Sequence, residues 1–556
     1  MSEKNLQIIN EVQTVSSTKL SKNFNLFSLL GIAFSLTNSW LGVSSALVVG
    51  LYSGGPLLII YGLIIGCFFT VFCAWSLSEF VSWLPNSSGA YFWCLKMLQV
   101  SKTNDTKFDD SLEIDYDNEE YELEQYCCAK DIEITSIPQY YISLFAGLLN
   151  YCGAIFTTAS VCSSLSYSII GLYQFNNLEY ELKHWHLFVC YEALNIFFTF
   201  FNCYAGWLPF ISQLGLYMSL FTYTVTFVVS LVCRADSTTP WPKASSIFKD
   251  FDNTTGWNSS GMGFIVGLIN PLWAFAGIDS AIHMVDEVGY INSRKFVPKA
   301  IIFTVVIGFI TSFTYSIGLF YCIKDKDTVV NSILPILEIY YQATGLKKLS
   351  IFFQACSITC GCICGISSGT WQSRILWGIG NDIGSNGSLF WQKISEIDKR
   401  GKVPLYSHLF SQIWVAIIGC IFMGSSTAFN AIITACIALL LLSYAVPCVI
   451  LLFVVGRKKF FAKIQKEMRI REIQTGNIWQ PFLKKWSNTF GFISNIITIL
   501  WSLFCLIFLS FPYQLPVNSS NMNYVTVVYF AVFIIVGITV FFTTKTFNRK
   551  RMSKLI

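Results

Sequence analysis

Four titratable side chains share one face of an apolar stretch. Asp279 sits well inside the run, and His283, Asp286 and Glu287 follow at i+4, i+7 and i+8, positions that stack along a helix. A carboxylate in such a run is costly to bury and is usually kept for a task. This stripe can bind a cation, relay a proton or latch a gate. Asp279 reads as functional, while Asp286 and Glu287, nearer the end of the run, read as ion-pair partners for Arg294, Lys295 or Arg374. Glu79, in Ser76-Leu77-Ser78-Glu79-Phe80, reads as a gate or interface residue.

Two short polar interruptions bear on the same chemistry. One is Thr37-Asn38-Ser39-Trp40, with Gly42 and Ser44-Ser45 behind it. The other is Asn270-Pro271 followed by Trp273 and Phe275-Ala276-Gly277-Ile278. Ser, Thr and Asn compete for backbone hydrogen bonds, Pro271 lacks an N–H, and Gly277 permits any turn. Irregular backbone at membrane depth is tolerated only where it is buried in protein or lines a cavity. Freed N–H groups around Thr37–Trp40 suit a carboxylate. Freed carbonyls around Phe275–Ile278, with Asp279 nearby, suit an ammonium, and Trp40, Trp273 and Phe275 can sleeve an apolar chain. These residues are the candidate substrate site; Asp279, His283, Glu287 and Glu79 are the candidate proton-coupling or gate residues.

Other chemistries find no support. There is no Walker A sequence and no nucleophile–base constellation, and the four histidines never pair with Cys or carboxylates at zinc spacing. Cys356, Cys360, Cys362 and Cys364 lie among glycines in an apolar run, which reads as close helix packing. The expectation is a non-enzyme without metal or cofactor.

The elements that must position these residues are membrane helices. Of 556 residues, 54% are hydrophobic and 12% charged, against about a quarter charged in soluble domains. That excludes a soluble multidomain enzyme, and a net charge of +5 argues against nucleic acid as a partner. Nineteen cysteines, an odd number lying mostly in apolar runs, do not read as a disulfide framework.

Apolar runs near 20 residues long predict twelve helices, at 27–50, 56–80, 139–173, 185–205, 208–233, 261–283, 300–323, 350–373, 407–425, 428–455, 489–511 and 523–543. Of the 37 basic residues, 29 fall on one side of this arrangement and 8 on the other, which predicts cytoplasmic tails (1–23 and the basic 544–556). The polar first 23 residues do not resemble a cleaved signal peptide. Sequons at Asn253, Asn258 and Asn518 fall in predicted outside loops and are glycosylation candidates. The acidic segment 101–137 reads as a solvated cytoplasmic loop.

The interruptions fall in the first helix of each of two five-helix halves, 27–233 and 261–455, with extra helices at 489–543. That is the pattern of an inverted-repeat transporter whose site forms where two discontinuous helices meet.

The segments Asn38-Ser39-Trp40, Ser53-Gly54-Gly55-Pro56, Leu84-Pro85-Asn86-Ser87-Ser88-Gly89-Ala90-Tyr91 and Asp279-Ser280-Ala281-Ile282-His283-Met284-Val285-Asp286-Glu287-Val288 resemble the amino acid–polyamine–organocation superfamily. Within it, residues 24–545 are similar to the fungal amino acid/choline transporter branch. The resemblance implies an all-α membrane protein of about twelve transmembrane helices, a leucine-transporter-like 5+5 inverted repeat plus two extra helices. It further implies alternating access for a small zwitterionic or cationic amine, with a proton as the simplest coupling partner, in the plasma membrane. A γ-aminobutyrate, choline or polyamine permease and a non-transporting nutrient sensor are the alternative readings. Two departures stand out. Thr37-Asn38-Ser39 replaces the paired-glycine break of many amino acid permeases, and Gly380-Asn381-Asp382-Ile383-Gly384 replaces the usual Ala-Arg-Asp stretch.

Overall fold

A computed structural model describes residue 20 and residues 22–102, 137–177, 179–384, 387–465, 489–519 and 521–555. Among these the chain is helical throughout, without a strand. In chain order the main helices are α1 (Leu26–Thr37), α2 (Ser39–Ser45), α3 (Leu47–Trp83), α4 (Ala90–Lys102), α5 (Ile137–Asn176), α6 (His184–Phe201) and α7 (Leu208–Ala235). There follow α8 (Ser260–Gly267), α9 (Ile269–Trp273), α10 (Val285–Val288), α11 (Tyr290–Cys322), α12 (Pro335–Thr344), α13 (Lys347–Ile383), α14 (Leu405–Gly424), α15 (Ser426–Val449), α16 (Thr489–Phe508) and α17 (Val525–Leu555).

Ten helices among the described residues are long and apolar enough to cross a membrane, with α1 and α2 counted as one. The other two expected spans are α6, of 18 residues, and the broken segment α8–α10. Twelve crossings result, and the chain is an all-α membrane protein.

Burial sorts centre from periphery. Every residue of α1 from Ser28 to Thr37 is buried, as a helix surrounded by protein must be. By contrast α7 exposes Phe210, Tyr217, Phe221, Val228 and Val232, steps of seven and four that make one lipid-facing stripe. On α17, Val527, Phe530, Ile534, Ile538 and Phe541 do the same. Helix α3 packs along α11, α5 lies between α13 and α15, and α16 closes on α15.

The connections gather at two ends. At one, Thr254 N–H bonds the Tyr52 carbonyl (3.0 Å), Leu515 N–H bonds Thr255 (2.7 Å) and Lys326 pairs with Asp252. These are the loops expected outside. Asn258 and Asn518 are exposed there, whereas the half-buried Asn253 amide donates to Trp257 (2.8 Å) and accepts from Thr255. The opposite end holds residues 84–89, 285–289 and Arg457.

Several boundaries differ from expectation: the second span begins at Leu47 rather than 56 and α11 at Tyr290 rather than 300, while the span expected at 428–455 ends at Val455. Helix α13 runs ten residues beyond 373, because Arg374 and Asp382, charges that read as leaving the membrane, are buried against partners. Helix α15 passes into a π-helical turn at Ile450–Val455. The last helix continues through the expected tail to Leu555. The acidic segment lies outside the described residues from 103 to 136, as do nearly all of the first 21 residues and 466–488 of the basic loop. All 17 cysteines among the described residues are unpaired.

Candidate substrate site and inner gate

The first break is made by an asparagine. Helix α1 ends where Asn38 adopts φ +30, ψ 58, its N–H still bonded to the Phe34 carbonyl at 2.7 Å. Asparagine is among the few residues besides glycine that take this left-handed conformation at small cost, so no glycine pair is required. Thr37 contributes by folding its hydroxyl back onto the carbonyls of Ala33 (3.2 Å) and Phe34 (3.3 Å).

The second break follows α9, where the chain drops to i→i+3 turns through Ala274–Ala276 and turns at Gly277, φ +79. A Cβ on Gly277 would lie 2.8 Å from the end of the Leu36 side chain, which would have to shift. The breaks are joined directly. Ser39 Oγ donates to the Ala274 carbonyl (2.6 Å), and Asn270 Nδ2 to the Val43 carbonyl (3.0 Å).

Beside this junction lies a cavity of about 210 Å³. Of the residues expected from the sequence, Thr37, Asn38, Trp273 and Ala276 line it. Ser39 and Trp40 are placed elsewhere: Trp40 donates its indole N–H to Ser219 (2.9 Å) and meets the Tyr315 ring edge-on at 5.1 Å. Phe275, Gly277 and Ile278 border a second, smaller cleft with Thr70, Ile437 and Tyr444.

Two walls went unread in the sequence. Thr157, Ser160, Ser164 and Ser168 of α5, and Gln354, Ser357, Gly361 and Cys364 of α13, line the cavity. Each set repeats every three or four residues, and that polar periodicity was the available signal. No Asp, Glu, Lys, Arg or His is among the lining residues. Two buried polar atoms in this wall have no partner, Asn38 Nδ2 and Gln354 Oε1.

Asp279 stands behind the break rather than in the cavity wall. It is 1% exposed and accepts from Tyr444 Oη at 2.7 Å and Asn150 Nδ2 at 2.8 Å, with His283 Nε2 at 3.2 Å. His283 Nδ1 lies 2.6 Å from the Ser87 carbonyl. A carbonyl only accepts, so Nδ1 carries a proton. Across the 3.2 Å contact, either Nε2 is also protonated beside a carboxylate, or Asp279 is the protonated partner.

The far end of the bundle is shut by buried ion pairs. Arg457 makes a two-pronged pair with Glu79, one prong at 2.7 Å, and Arg374 Nε donates to Glu287 at 2.6 Å. Ser87 Oγ donates to Asp286, while Asn86 Nδ2 (3.3 Å) and Ser88 Oγ donate to Asp382. The Glu287 carbonyl also holds the N–H of Phe24 at 3.2 Å, tethering the chain just ahead of α1. Thus Glu79 and Glu287 both lie in buried ion pairs at this end, and Asp382 in the divergent segment secures the 86–88 loop.

Broken helices meeting beside an uncharged cavity, within a twelve-crossing bundle closed at one end, define a carrier. The amino acid permease family profile matches residues 135–533, and the chain belongs to that family of membrane transporters. It is 55% identical to the 7-keto 8-aminopelargonic acid transporter of Saccharomyces cerevisiae, over 95% of this chain and 93% of that protein. It is also 38% identical to the S. cerevisiae choline transporter (92% and 79% covered) and 23% identical to the GABA-specific permease of the same yeast (94% and 81%).

Proposed function

We propose that this chain takes up 7-keto-8-aminopelargonic acid, for biotin synthesis, across the plasma membrane by alternating access with proton symport, both tails cytoplasmic. The observation that carries the substrate is the 55% identity along nearly the full length of both chains, well above that to the choline and GABA carriers. The cavity agrees with it. The substrate is a long zwitterion, neutral overall, and a wall with polar but uncharged groups suits a ligand that brings both charges itself. Choline would call for an aromatic cage, and the lining offers only Trp273 and Tyr167 as aromatics.

On this reading the conformation is outward-facing. The cavity reaches residues 333–336 beside α12, at the end expected outside, while the Glu79–Arg457 and Glu287–Arg374 pairs close the other end. Asp279 and His283 serve as the proton carrier, two buried titratable groups in direct contact at 3.2 Å. Glu287, committed to Arg374, serves the gate instead. Ser87 links the two functions, because its carbonyl meets His283 and its hydroxyl meets Asp286. Loss of the proton from the pair loosens the loop that bars the exit.

The deciding experiment is uptake of labelled 7-keto-8-aminopelargonate into biotin-starved fungal cells lacking their own carrier. Unlabelled γ-aminobutyrate, choline and putrescine serve as competitors. Saturable uptake resisting all three competitors is expected. Uptake of choline or γ-aminobutyrate instead, with the protein at the surface, overturns the substrate assignment.

A further inference from the structure

Serine and threonine inside a membrane helix commonly return the hydroxyl to the carbonyl four residues back, where no water competes for it. Helix α5 follows that habit in part. Thr157, Thr158 and Ser166 donate to the carbonyls of Gly153 (2.9 Å), Ala154 (3.1 Å) and Cys162 (2.7 Å). Ser160, Ser164 and Ser168 do not: among the described residues their hydroxyls find no partner. All three line the cavity. Ser160 keeps 2% of its surface exposed, and its Oγ, unlike Asn38 Nδ2, is not sealed. Set one turn apart, the three make a row roughly 12 Å long at 1.5 Å per residue. It ends near the mouth, where Gly171 packs against Leu334. Elsewhere in the wall the donors are spent: Ser44, Ser357 and Cys364 give theirs to the carbonyls of Trp40 (2.8 Å), Phe353 (3.0 Å) and Leu36 (3.3 Å).

Each free hydroxyl has one O–H to give, and giving it to a ligand breaks no bond within the helix. The acceptor that fits this row is uncharged. No Lys, Arg or His lines the cavity to neutralise a carboxylate. The row also sits in the C-terminal half of α5 (Ile137–Asn176), remote from the helix N-terminus that favours anions. A ketone oxygen accepts hydrogen bonds without bringing charge. In a 7-keto-8-amino acid it is the neutral acceptor, beside the carbon that bears the amine. Lone pairs of the next serine along the row can receive that neighbouring ammonium.

We propose that the row Ser160, Ser164 and Ser168 reads the ketone of the substrate, and so distinguishes a keto amino acid from the same chain without the oxo group. This deepens the proposed function and rests on the cavity receiving 7-keto-8-aminopelargonate. The charges of that molecule are common to any zwitterion; the ketone is what sets it apart from a plain amino acid such as γ-aminobutyrate.

The reporter is 8-aminopelargonate, identical but for the missing oxo group. Both unlabelled acids are tested as competitors of labelled 7-keto-8-aminopelargonate uptake. In the unaltered protein the keto acid should inhibit about three- to tenfold better, the worth of one neutral hydrogen bond. With Ser160→Ala, Ser164→Ala and Ser168→Ala combined, the two should inhibit equally, through a weaker keto acid and an unchanged deoxo acid. A merely structural serine would not move that ratio, because lost packing weakens both ligands alike. Should the triple variant fail to reach the surface, the single variants carry the test, and at least one must lower the ratio. A ratio near one in the unaltered protein, or a ratio that survives the substitutions, would overturn the row while leaving the carrier assignment intact. If the unaltered protein takes up no labelled keto acid, the substrate reading fails by itself. Thermal shift of the purified protein by the two acids then decides the row: greater stabilisation by the keto acid, lost in the variants, supports it, and equal or absent stabilisation refutes it.

Discussion

Substituting Asn for Asp279 tests its assignment as the proton carrier. At the Oδ2 position, Asp279 receives Asn150 Nδ2 at 2.8 Å and faces His283 Nε2 at 3.2 Å. An asparagine can present either its NH2 or its oxygen there. The NH2 would confront the Asn150 donor. The oxygen would ask His283 to keep Nε2 protonated while Nδ1 donates to Ser87, leaving an imidazolium without its counter-charge. Either way the hydrogen bond between position 279 and His283 is lost, about 1–3 kcal/mol, and on the proposed reading the variant no longer carries the proton. A neutral zwitterion entering with one proton gains about 2.3 kcal/mol from 100 mV of membrane potential, equivalent to about 50-fold accumulation. Asp279→Asn should therefore equilibrate labelled substrate without concentrating it, and should lose the substrate-induced current and the stimulation by external acid. Exchange of substrate across the membrane should persist. Uptake, counterflow and voltage-clamp recordings on protein quantified at the surface measure all of these. An Asp279→Asn protein that still concentrates substrate in an uncoupler-sensitive way would refute the assignment.

Three further outcomes follow from the geometry. Glu79→Gln removes one member of a buried pair, a change that costs about 3–5 kcal/mol; a lower unfolding temperature and at least tenfold slower transport are expected, with partial recovery in the charge-swapped Glu79→Arg/Arg457→Glu protein, and unchanged behaviour would take the pair out of the gate. Gly378→Ala places a Cβ 2.8 Å from the Ser88 nitrogen and 2.9 Å from the Ser87 carbonyl carbon. The 86–88 loop must then move, so transport should fall at normal surface abundance, and a wild-type rate would show the loop free to shift. For the sequons, Asn258→Gln and Asn518→Gln should each remove one endoglycosidase-sensitive increment of mass while Asn253→Gln, whose amide is engaged, should not; absence of glycan at all three would count against the outside placement of these loops.

What the sequence made legible was backbone chemistry. Residue types that interrupt a helix are visible one at a time, so Thr37–Asn38 and Gly277 mark the breaks before any packing is known. The rotation of a helix about its axis is not visible in that way. Trp40 looks like a cavity residue by proximity to Asn38, yet it is held away from the cavity by Ser219, about 180 positions further along the chain. The wall from α5 and α13 was hidden for the opposite reason: Thr157, Ser160, Ser164, Ser357 and Gly361 are the small residues that any close helix contact would use. Charges misled in a third way. Arg374 and Asp382 read as the end of a span, and only Glu287 and the 86–88 loop, supplied by other helices, make their burial tolerable.

The segment Asn86-Ser87-Ser88-Gly89 shows what pattern alone leaves unsaid. It is visible as a family feature, but its physical reason appears only when α10 and α13 are beside it. Gly89 turns at φ +55 with His283 Cε1 3.0 Å from where a Cβ would stand, so the loop can press onto the imidazole only with glycine there. Ser87 then touches His283 with its carbonyl and Asp286 with its hydroxyl, and Ser88 and Asn86 hold Asp382. One four-residue turn thus contacts His283, α10 and α13 together. A change of charge at His283 would alter the bond its Nδ1 makes to the Ser87 carbonyl, and that acceptor belongs to the loop at the ion-paired end. On the proposed reading, coupling between proton and gate therefore needs no relay through the substrate cavity. Substitutions in this loop should change the dependence of transport on external pH, even where they leave the cavity wall untouched.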